Sequence, residues 1–180
     1  DAAKPVAFVA TCFASHEPHR RLLAELGYTA SEEGSLIVNA RSLAAPLPDP
    51  VLPPGVVVRP PEGDEELDRR ARLHVDVWSA SRLTPEGYRI TRNAPGFDAA
   101  LDLVAVLPDG RFAAYCICWP ERASGSCEFE PVGCHPDHRR QGLAAAVMQV
   151  AMQRARAMGL HTALVYCHDE TLPFYRAMGF

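Results

Sequence analysis

The run HPDHRRQGLAAAVM at residues 135–148 constrains the fold more than any other part of this sequence. An apolar strand pattern precedes it, and a turn with Arg139, Arg140 and Gly142 leads into an alanine-rich helical pattern. The first amide groups of a helix lack partners within the helix and carry partial positive charge, so a phosphate group binds there readily. Gly142 has no Cβ atom and lets the backbone approach a ligand closely. The run therefore predicts a strand, turn and helix that hold a pyrophosphate; the alternative is an ordinary surface helix behind a basic turn.

Hydrophobic periodicity predicts a regular series of strands and helices from residue 55 onwards. Two apolar runs flank Pro108-Asp109-Gly110, whose Asp-Gly pair is typical of a β-hairpin turn. The predicted strands are 55–59, 101–107, 112–119, 126–134 and 162–167, and the predicted helices are 63–79, 85–92, 141–158 and 169–178. We expect a mixed α/β fold with a largely antiparallel central sheet flanked by helices.

Two motifs, one after the other along the chain, carry a resemblance to a known family. Arg139, Gly142 and Ala144 occupy the register (R/Q)xxGx(G/A), and the run TALVYC at 162–167 is followed by a helix with Tyr175 and by Gly179-Phe180. Over residues 55–180 the chain resembles the GNAT acyltransferase superfamily. The resemblance implies the GNAT acyl-CoA transferase fold, acyltransferase activity and acetyl-CoA as co-substrate.

The resemblance implies that acetyl-CoA lies along the strand at 126–134, the following turn and the start of the next helix. In the family, that strand splays from its neighbour and offers a backbone amide that polarises the thioester carbonyl. His168 stands where asparagine is common, and we leave open whether it is a hydrogen-bonding substitute, a catalytic helper or a loop residue. The expected acetyl-CoA-binding residues are Val132, Gly133, Cys134, Arg139, Arg140, Gln141, Gly142, Leu143, Ala144 and His168.

The resemblance also implies that an amine attacks the thioester directly and that Tyr175 protonates the departing CoA thiolate. Glu128 and Glu130 lie on one face of their strand by the period of two, so that either could accept the amine proton. We leave open which one does, and also the alternative that both are solvent-facing carboxylates.

The acceptor groove of this family is formed largely by the first two helices and their loop. This position implicates Trp78, Arg82 and Tyr88, and also Arg92, and an arginine at 82 or 92 would meet an acidic acceptor. We expect an N-acetyltransferase that acts on a primary amine of an unidentified small molecule or peptide. The alternative is a catalytically silent acyl-CoA-binding sensor or assembly module.

An internal repeat suggests how the chain is organised, because HEPHRRLLAELGY at 16–28 aligns without gaps on HDETLPFYRAMGF at 168–180. We interpret residues 1–45 as the strand–helix–strand remnant of a preceding GNAT-like domain, with strands at 6–13 and 35–41. Residues 46–54 are a proline-rich linker, and 55–180 are the acetyltransferase domain. This tandem arrangement is similar to that of the mycothiol synthase group.

The acetyltransferase domain is expected to lack its last strand, since the first copy of the repeat continues into a strand whereas the second stops at Phe180. Either further residues follow, which is the interpretation we favour, or the strand at 35–41 covers that edge of the sheet.

Composition excludes several other classes of protein. The formal charge of −4 argues against a general nucleic-acid binder, and no apolar run approaches the length of a membrane span. The start shows no signal-peptide pattern, so we expect a cytoplasmic protein. The six cysteines form no CxxC pair and are expected to be reduced core residues. CHPDH at 134–138 has no second cluster at metal spacing, so we expect no metal; a homodimer is left open.

Overall fold

A computed structural model describes residues 10–30 and 36–180, which divide into two compact units, one before residue 36 and one from Leu36 to Phe180. The described part of the first unit contains helix α1, Glu17–Glu25. The helix ends at Glu25, and Gly27 follows it with a φ of +86°, which allows the Tyr28 N–H to bond back to the Leu23 carbonyl at 3.0 Å. Most of the strand predicted at 6–13 lies outside the described residues.

The second unit is a mixed α/β layer structure, which confirms the predicted fold class. Its sheet has the strand order β1-β6-β5-β4-β3-β2, and every neighbouring pair is antiparallel except β5 and β6, which are parallel. Short 3₁₀ turns lie at Ala99–Leu101 and Pro136–His138. In chain order the strands and helices are β1 (Ile37–Ser42), β2 (Val57–Arg59), α2 (Gly63–Val77), α3 (Pro85–Arg92), β3 (Asp102–Val106), β4 (Phe112–Glu121), β5 (Ser126–Cys134), α4 (Leu143–Ala157), β6 (Thr162–Cys167) and α5 (Leu172–Ala177).

Helices cover both faces of this sheet. On one face, α4 buries Leu143, Val147 and Ala151 in the main core, together with inward-facing residues of β4, β5 and β6. On the other face, α2 and α3 pack their buried residues, among them Leu73 and Tyr88, against β3 and β4. Because both faces are covered, β3 is buried at every position, and its sequence therefore lacks the alternation of a half-exposed strand.

The two edge strands are joined by a segment that crosses the molecule. β1 pairs with β6 over its whole length, from Ile37↔Cys167 to Ser42↔Thr162, and so covers the β6 edge. The proline-rich stretch then runs to β2 at the opposite edge, and its Leu47 and Leu52 pack against the main core. The stretch that we interpret as a linker thus carries core contacts, while the division into a remnant and an acetyltransferase domain stays a prediction.

The cysteines are free, as expected of reduced thiols. Cys116, Cys118, Cys127 and Cys167 are buried as expected and Cys134 is half-buried, but Cys12 is exposed, so the prediction of a core position is wrong for Cys12. Within residues 10–30 and 36–180, each helix is too short or too polar to cross a lipid bilayer.

Candidate active site

The centre of the site is a gap that opens between β5 and β6. The two parallel strands pair from Ser126↔Thr162 to Glu128↔Leu164, and both then continue, β5 to Cys134 and β6 to Cys167. The β4–β5 register also shifts between Cys116 and Cys118, where an extra residue in β5 forms a bulge. The strand splay expected from the family resemblance is therefore present.

The ladder on the other side of β5 determines which backbone amides point into this gap. Cys134 lies opposite Ala114, and the next amide, of His135, donates to the carbonyl of Ala113 at 2.8 Å. This is the pattern of a non-hydrogen-bonded antiparallel pair, so the N–H of Cys134 points away from β4. Val132 lies two residues before Cys134 in a continuous register, so its pair with Cys116 is also non-hydrogen-bonded. The N–H groups of Val132 and Cys134 therefore point toward the gap.

The turn after β5 leads to a helix start that no side chain caps. Gly142 occupies the left-handed region at φ +78° and ψ 0°, and α4 begins at Leu143 without a side-chain hydrogen bond to its first amides. Arg140 also has a positive φ, 64°, which is uncommon for a residue with a side chain. The turn residues Arg139, Arg140, Gln141 and Gly142 are exposed, while Leu143 is buried and Ala144 half-buried.

Space remains around this turn. A Cβ atom on Gly142 would have only the carbonyl oxygen of Val51 within 4 Å among the described residues other than its chain neighbours, at 3.8 Å. The Arg139 Nε donates to the Cys134 carbonyl at 3.4 Å, which ties the turn to the end of β5. The uncapped amides and the gap between the strands are thus adjacent along the chain.

Gly133 lies between the two gap-facing amides, where a side chain could not fit. A Cβ atom there would be 2.6 Å from Cε1 and 3.0 Å from the hydroxyl oxygen of Tyr115, which lies opposite on β4. Such separations are below van der Waals contact, so glycine is required for the Tyr115 ring to cross β5 at this point.

Tyr175 lies on α5 with its side chain 8% exposed, packed against Phe174 and Phe180 at ring-centroid distances of 5.0 and 6.0 Å. Burial, followed by the nearby groups of Cys167 and Glu130, raises the pKa of its hydroxyl to about 12. The hydroxyl is therefore a proton carrier at neutral pH and lies within electrostatic range of Glu130.

Glu128 and Glu130 lie on the face of β5 opposite to buried Cys127 and Phe129, as the period of two predicts. Glu130 is exposed at the strand surface, yet neighbouring protein partly shields its carboxyl from water. This shielding and the negative charge of Glu128 raise the pKa of Glu130. The environment therefore distinguishes two glutamates that the sequence leaves equivalent.

The predicted acceptor residues fall into two groups. Trp78 follows α2 and is 47% exposed, and Arg82 is exposed in the loop to α3. Tyr88 is only 1% exposed and donates from its hydroxyl to Asp102. Arg92 is paired with the same carboxylate at 2.7 Å. Tyr88 and Arg92 are thus engaged in an interior network, which gives no support to their predicted contact with an acceptor.

Sequence reasoning did not single out the polar groups at the centre of this network. Asp102 is fully buried between Arg92 and Arg70, whose guanidinium stacks 3.5 Å from the centroid of the Tyr115 ring. His74 and Trp78 both hydrogen-bond the Tyr115 hydroxyl. One signal was available, since Asp102 interrupts the apolar run LDLVAVL and a charge in a buried strand needs a partner.

His168 is exposed between β6 and α5, and its carbonyl accepts from the amides of Thr171 and Leu172 at 3.1 and 3.2 Å. Its backbone thus supports the start of the helix that carries Tyr175. The described part of the chain contains no group of three or more His, Cys, Asp or Glu side chains that could hold a metal ion.

The sequence and the fold are similar to those of known proteins. The model of the Acetyltransferase (GNAT) family matches residues 67–180. A mycothiol acetyltransferase of Salinispora arenicola is 30% identical over 92% of this chain and 57% of its own length, and one of Cellulomonas flavigena is 32% identical over 73% of the chain and 42% of its own. The chain thus spans about half the length of these relatives.

Among solved structures, a GCN5-related N-acetyltransferase from Sphaerobacter thermophilus superimposes with a TM-score of 0.68 at 24% identity, over 92% of this chain and 53% of that one. At this identity the likeness shows a shared fold. The family match extends from α2 to the last residue, and it includes the splayed strands, the glycine turn and the tyrosine helix. The chain belongs to the GNAT family of acetyltransferases.

Proposed function

We propose that this acetyltransferase moves the acetyl group of acetyl-CoA to a primary amine by direct attack. One observation carries the proposal: the amides of Val132 and Cys134 point into the gap between β5 and β6, which continues into the uncapped start of α4. An extended thioester with a diphosphate at one end matches this arrangement, because both parts of it accept hydrogen bonds from backbone amides.

The diphosphate binds at the turn after β5. The amides of Gly142, Leu143 and Ala144 lie at the positive end of the α4 dipole, and the exposed side chains of Arg139 and Arg140 add charge. Gln141 is exposed in the same turn as a further hydrogen-bonding group, and His168 is a candidate contact from the β6 side.

The pantetheine arm extends from the turn along β5, with the thioester carbonyl at an amide of the 132–134 segment. A fixed N–H group stabilises the negative charge that develops on this oxygen during attack, without reorganisation at that moment. Gly133 contributes through the backbone position that it permits, because its neighbours supply the amides that point into the gap.

Glu130 is the better candidate for the general base, and Glu128 is the alternative. A base works best when its pKa is close to the working pH. Shielding and the charge of Glu128 move the pKa of Glu130 upward, in that direction. Glu130 is also the glutamate whose charge acts on the hydroxyls of both Tyr115 and Tyr175.

Tyr175 is the candidate general acid for the departing thiolate. Its pKa of about 12 keeps it protonated, although transfer to a thiolate of ordinary pKa near 8.5 is uphill by about 5 kcal/mol. Tyr175 therefore acts first as a hydrogen-bond donor to the sulfur and completes proton transfer late. We therefore expect its contribution to the rate to lie at the low end of the range for general acids and bases.

The acceptor is proposed to be a small molecule with a primary amine. Relatives named mycothiol acetyltransferase make the amine of a mycothiol precursor the first acceptor to assay.

The test combines calorimetry with a turnover screen. Acetyl-CoA is titrated into the protein, and release of free CoA is then followed by chromatography and mass spectrometry. The amines screened are that of a mycothiol precursor, then cysteamine, glucosamine, spermidine, amino acids and short peptides. We expect saturable binding and an acetylated product for at least one amine. Absence of binding would refute the CoA site, whereas binding without CoA release from any amine would favour the silent sensor module.

A further inference from the structure

The hydroxyl of Tyr115 connects the interior to the exposed side of the candidate site. Tyr115 is fully buried, and its oxygen lies 2.8 Å from Nε1 of Trp78 and 2.7 Å from Nδ1 of His74. Trp78, by contrast, is 47% exposed. The polar atom of an exposed indole is thus bonded to a buried tyrosine.

The direction of the two hydrogen bonds follows from their chemistry. An indole N–H only donates, so the Tyr115 oxygen accepts from Trp78; when His74 offers an unprotonated Nδ1, the Tyr115 proton goes to that nitrogen. This arrangement requires neutral His74 with its proton on Nε2. Burial and the charge of Arg70 lower the pKa of His74, which favours this neutral form.

The Tyr115 ring is itself held in place. The Arg70 guanidinium stacks on it at 3.5 Å from the ring centroid. On the β5 side the ring lies so close to Gly133 that a Cβ atom there would be only 2.6 Å from it. The hydroxyl is also within electrostatic range of Glu130. Trp78 is therefore tied to a rigid point next to the proposed catalytic strand and the candidate base.

We propose that Tyr115 and His74 are positioning residues that hold Trp78 as a fixed aromatic wall of the acceptor pocket, where its exposed ring receives a cationic ammonium group. The proposal rests on the proposed function. A tryptophan face is the aromatic surface that attracts cations most strongly. An acceptor that binds as an ammonium ion must then lose a proton before attack, and Glu130, on the β5 strand that pairs with Tyr115, is the candidate to accept it.

A fluorescence experiment tests the positioning without any substrate. The chain has two tryptophans, so Trp119→Phe leaves Trp78 as the only indole. In that background we expect Tyr115→Phe to raise the acrylamide quenching constant of Trp78 about twofold and to lower its anisotropy. His74→Leu should act alike, whereas His74→Asn, which keeps an acceptor near the Nδ1 position, should stay close to the parent.

Tyr88→Phe is the matched control, because it removes another buried hydroxyl, one that is bonded to Asp102. It should leave Trp78 quenching unchanged at a comparable loss of stability. The positioning role is wrong if the quenching constant of Trp78 is the same in Tyr115→Phe as in Tyr88→Phe. It is also wrong if His74→Asn raises this constant as much as His74→Leu does.

A double-mutant cycle in the otherwise unchanged chain tests the link to the acceptor, with the best primary amine of the turnover screen as probe. Tyr115→Phe should raise the KM for this amine about fivefold, the effect of one lost hydrogen bond, while kcat and the KM for acetyl-CoA stay within twofold. Trp78→Leu should raise it about tenfold, and the double variant no further. Multiplicative effects would overturn the proposal. If no amine is acetylated, the proposed function fails while the fluorescence result still decides the positioning.

Discussion

Replacement of Gly133 by alanine tests the close packing beneath the proposed oxyanion-binding strand. The new Cβ would lie 2.6 Å from Cε1, 2.8 Å from Cζ and 3.0 Å from the hydroxyl oxygen of Tyr115. Carbon atoms pack best about 3.5–4.0 Å apart, so one group must move by about 0.9 Å or more. The Tyr115 ring is fully buried under Arg70 and has little room to retreat. Most of the shift therefore falls on β5.

We expect two consequences of this shift. Overpacking of a well-filled interior lowers the free energy of unfolding by about 1–3 kcal/mol. Movement of β5 also displaces the amides of Val132 and Cys134, and a misplacement of about 1 Å can reduce turnover about 100-fold. The Gly133→Ala variant should thus be folded but less stable than the parent protein, with kcat lower by about 10- to 100-fold. Urea unfolding followed by circular dichroism measures the first effect, and CoA release at saturating substrates measures the second.

Gly87→Ala is a suitable control, because it adds the same methyl group without a positive φ. Its Cβ would be 3.3 Å from the Thr84 hydroxyl oxygen and 3.6 Å from a Leu83 methyl carbon, so stability should change by less than about 1 kcal/mol. Tyr115→Leu removes the clashing ring, so that in the double variant the cost of Gly133→Ala should shrink by at least about 1 kcal/mol. The reasoning is refuted if Gly133→Ala matches the control in both stability and turnover.

Three further predictions concern the turn, the tyrosine and a surface ion pair. Gly142→Ala, at φ +78°, should weaken acetyl-CoA binding measured by calorimetry, whereas Gly159→Ala, at φ +88° with open space around it, should cost similar stability and leave that binding unchanged. Tyr175→Phe should lower kcat about 100-fold with an unchanged Kd for acetyl-CoA, and a wild-type kcat would remove its role as an acid. Arg59 hydrogen-bonds both carboxyl oxygens of Glu66, at 2.6 and 2.7 Å, and holds its pKa at about 2, below the ordinary 4.5. The pair's stabilisation is therefore present above pH 4.5 and lost as pH falls toward 2; the shift sets a ceiling of about 3 kcal/mol, which solvent screening reduces to about 1–2 kcal/mol. Glu66→Gln should be less stable by that amount at pH 7 in urea unfolding, and a difference that persists at pH 2 would contradict the assignment.

The internal repeat has a structural counterpart at the ends of its two helices. Gly27 and Gly179 both have φ +86°, and the residue after each glycine bonds back five positions, Tyr28 to Leu23 at 3.0 Å and Phe180 to Tyr175 at 3.1 Å. The sequence alignment therefore pairs residues with the same local backbone. Local geometry of this kind follows from local sequence, because only glycine adopts such a φ without strain.

Glu128 and Glu130 show where sequence reasoning stops. The period of two correctly assigns both to one face of β5, since neighbouring Cys127 and Phe129 are buried. Their difference arises from what surrounds each carboxyl, because shielding by other elements and their mutual repulsion raise the pKa of Glu130. Such surroundings come from residues distant in the chain, and no local pattern contains them.

By itself, the sequence determined the strands and helices from residue 55 onwards, the turn at Gly142 and membership of the GNAT family, because these depend on local periodicity, turn chemistry and short motifs. Only the tertiary structure decided that β1 covers the edge of β6, that Tyr115 crosses β5 at Gly133 and that Asp102 is buried between two arginines. The reason is physical: these contacts join residues 10 to 130 positions apart, from Arg92 with Asp102 to Ile37 with Cys167. Contacts of that range depend on how whole elements pack, which one stretch of sequence does not encode.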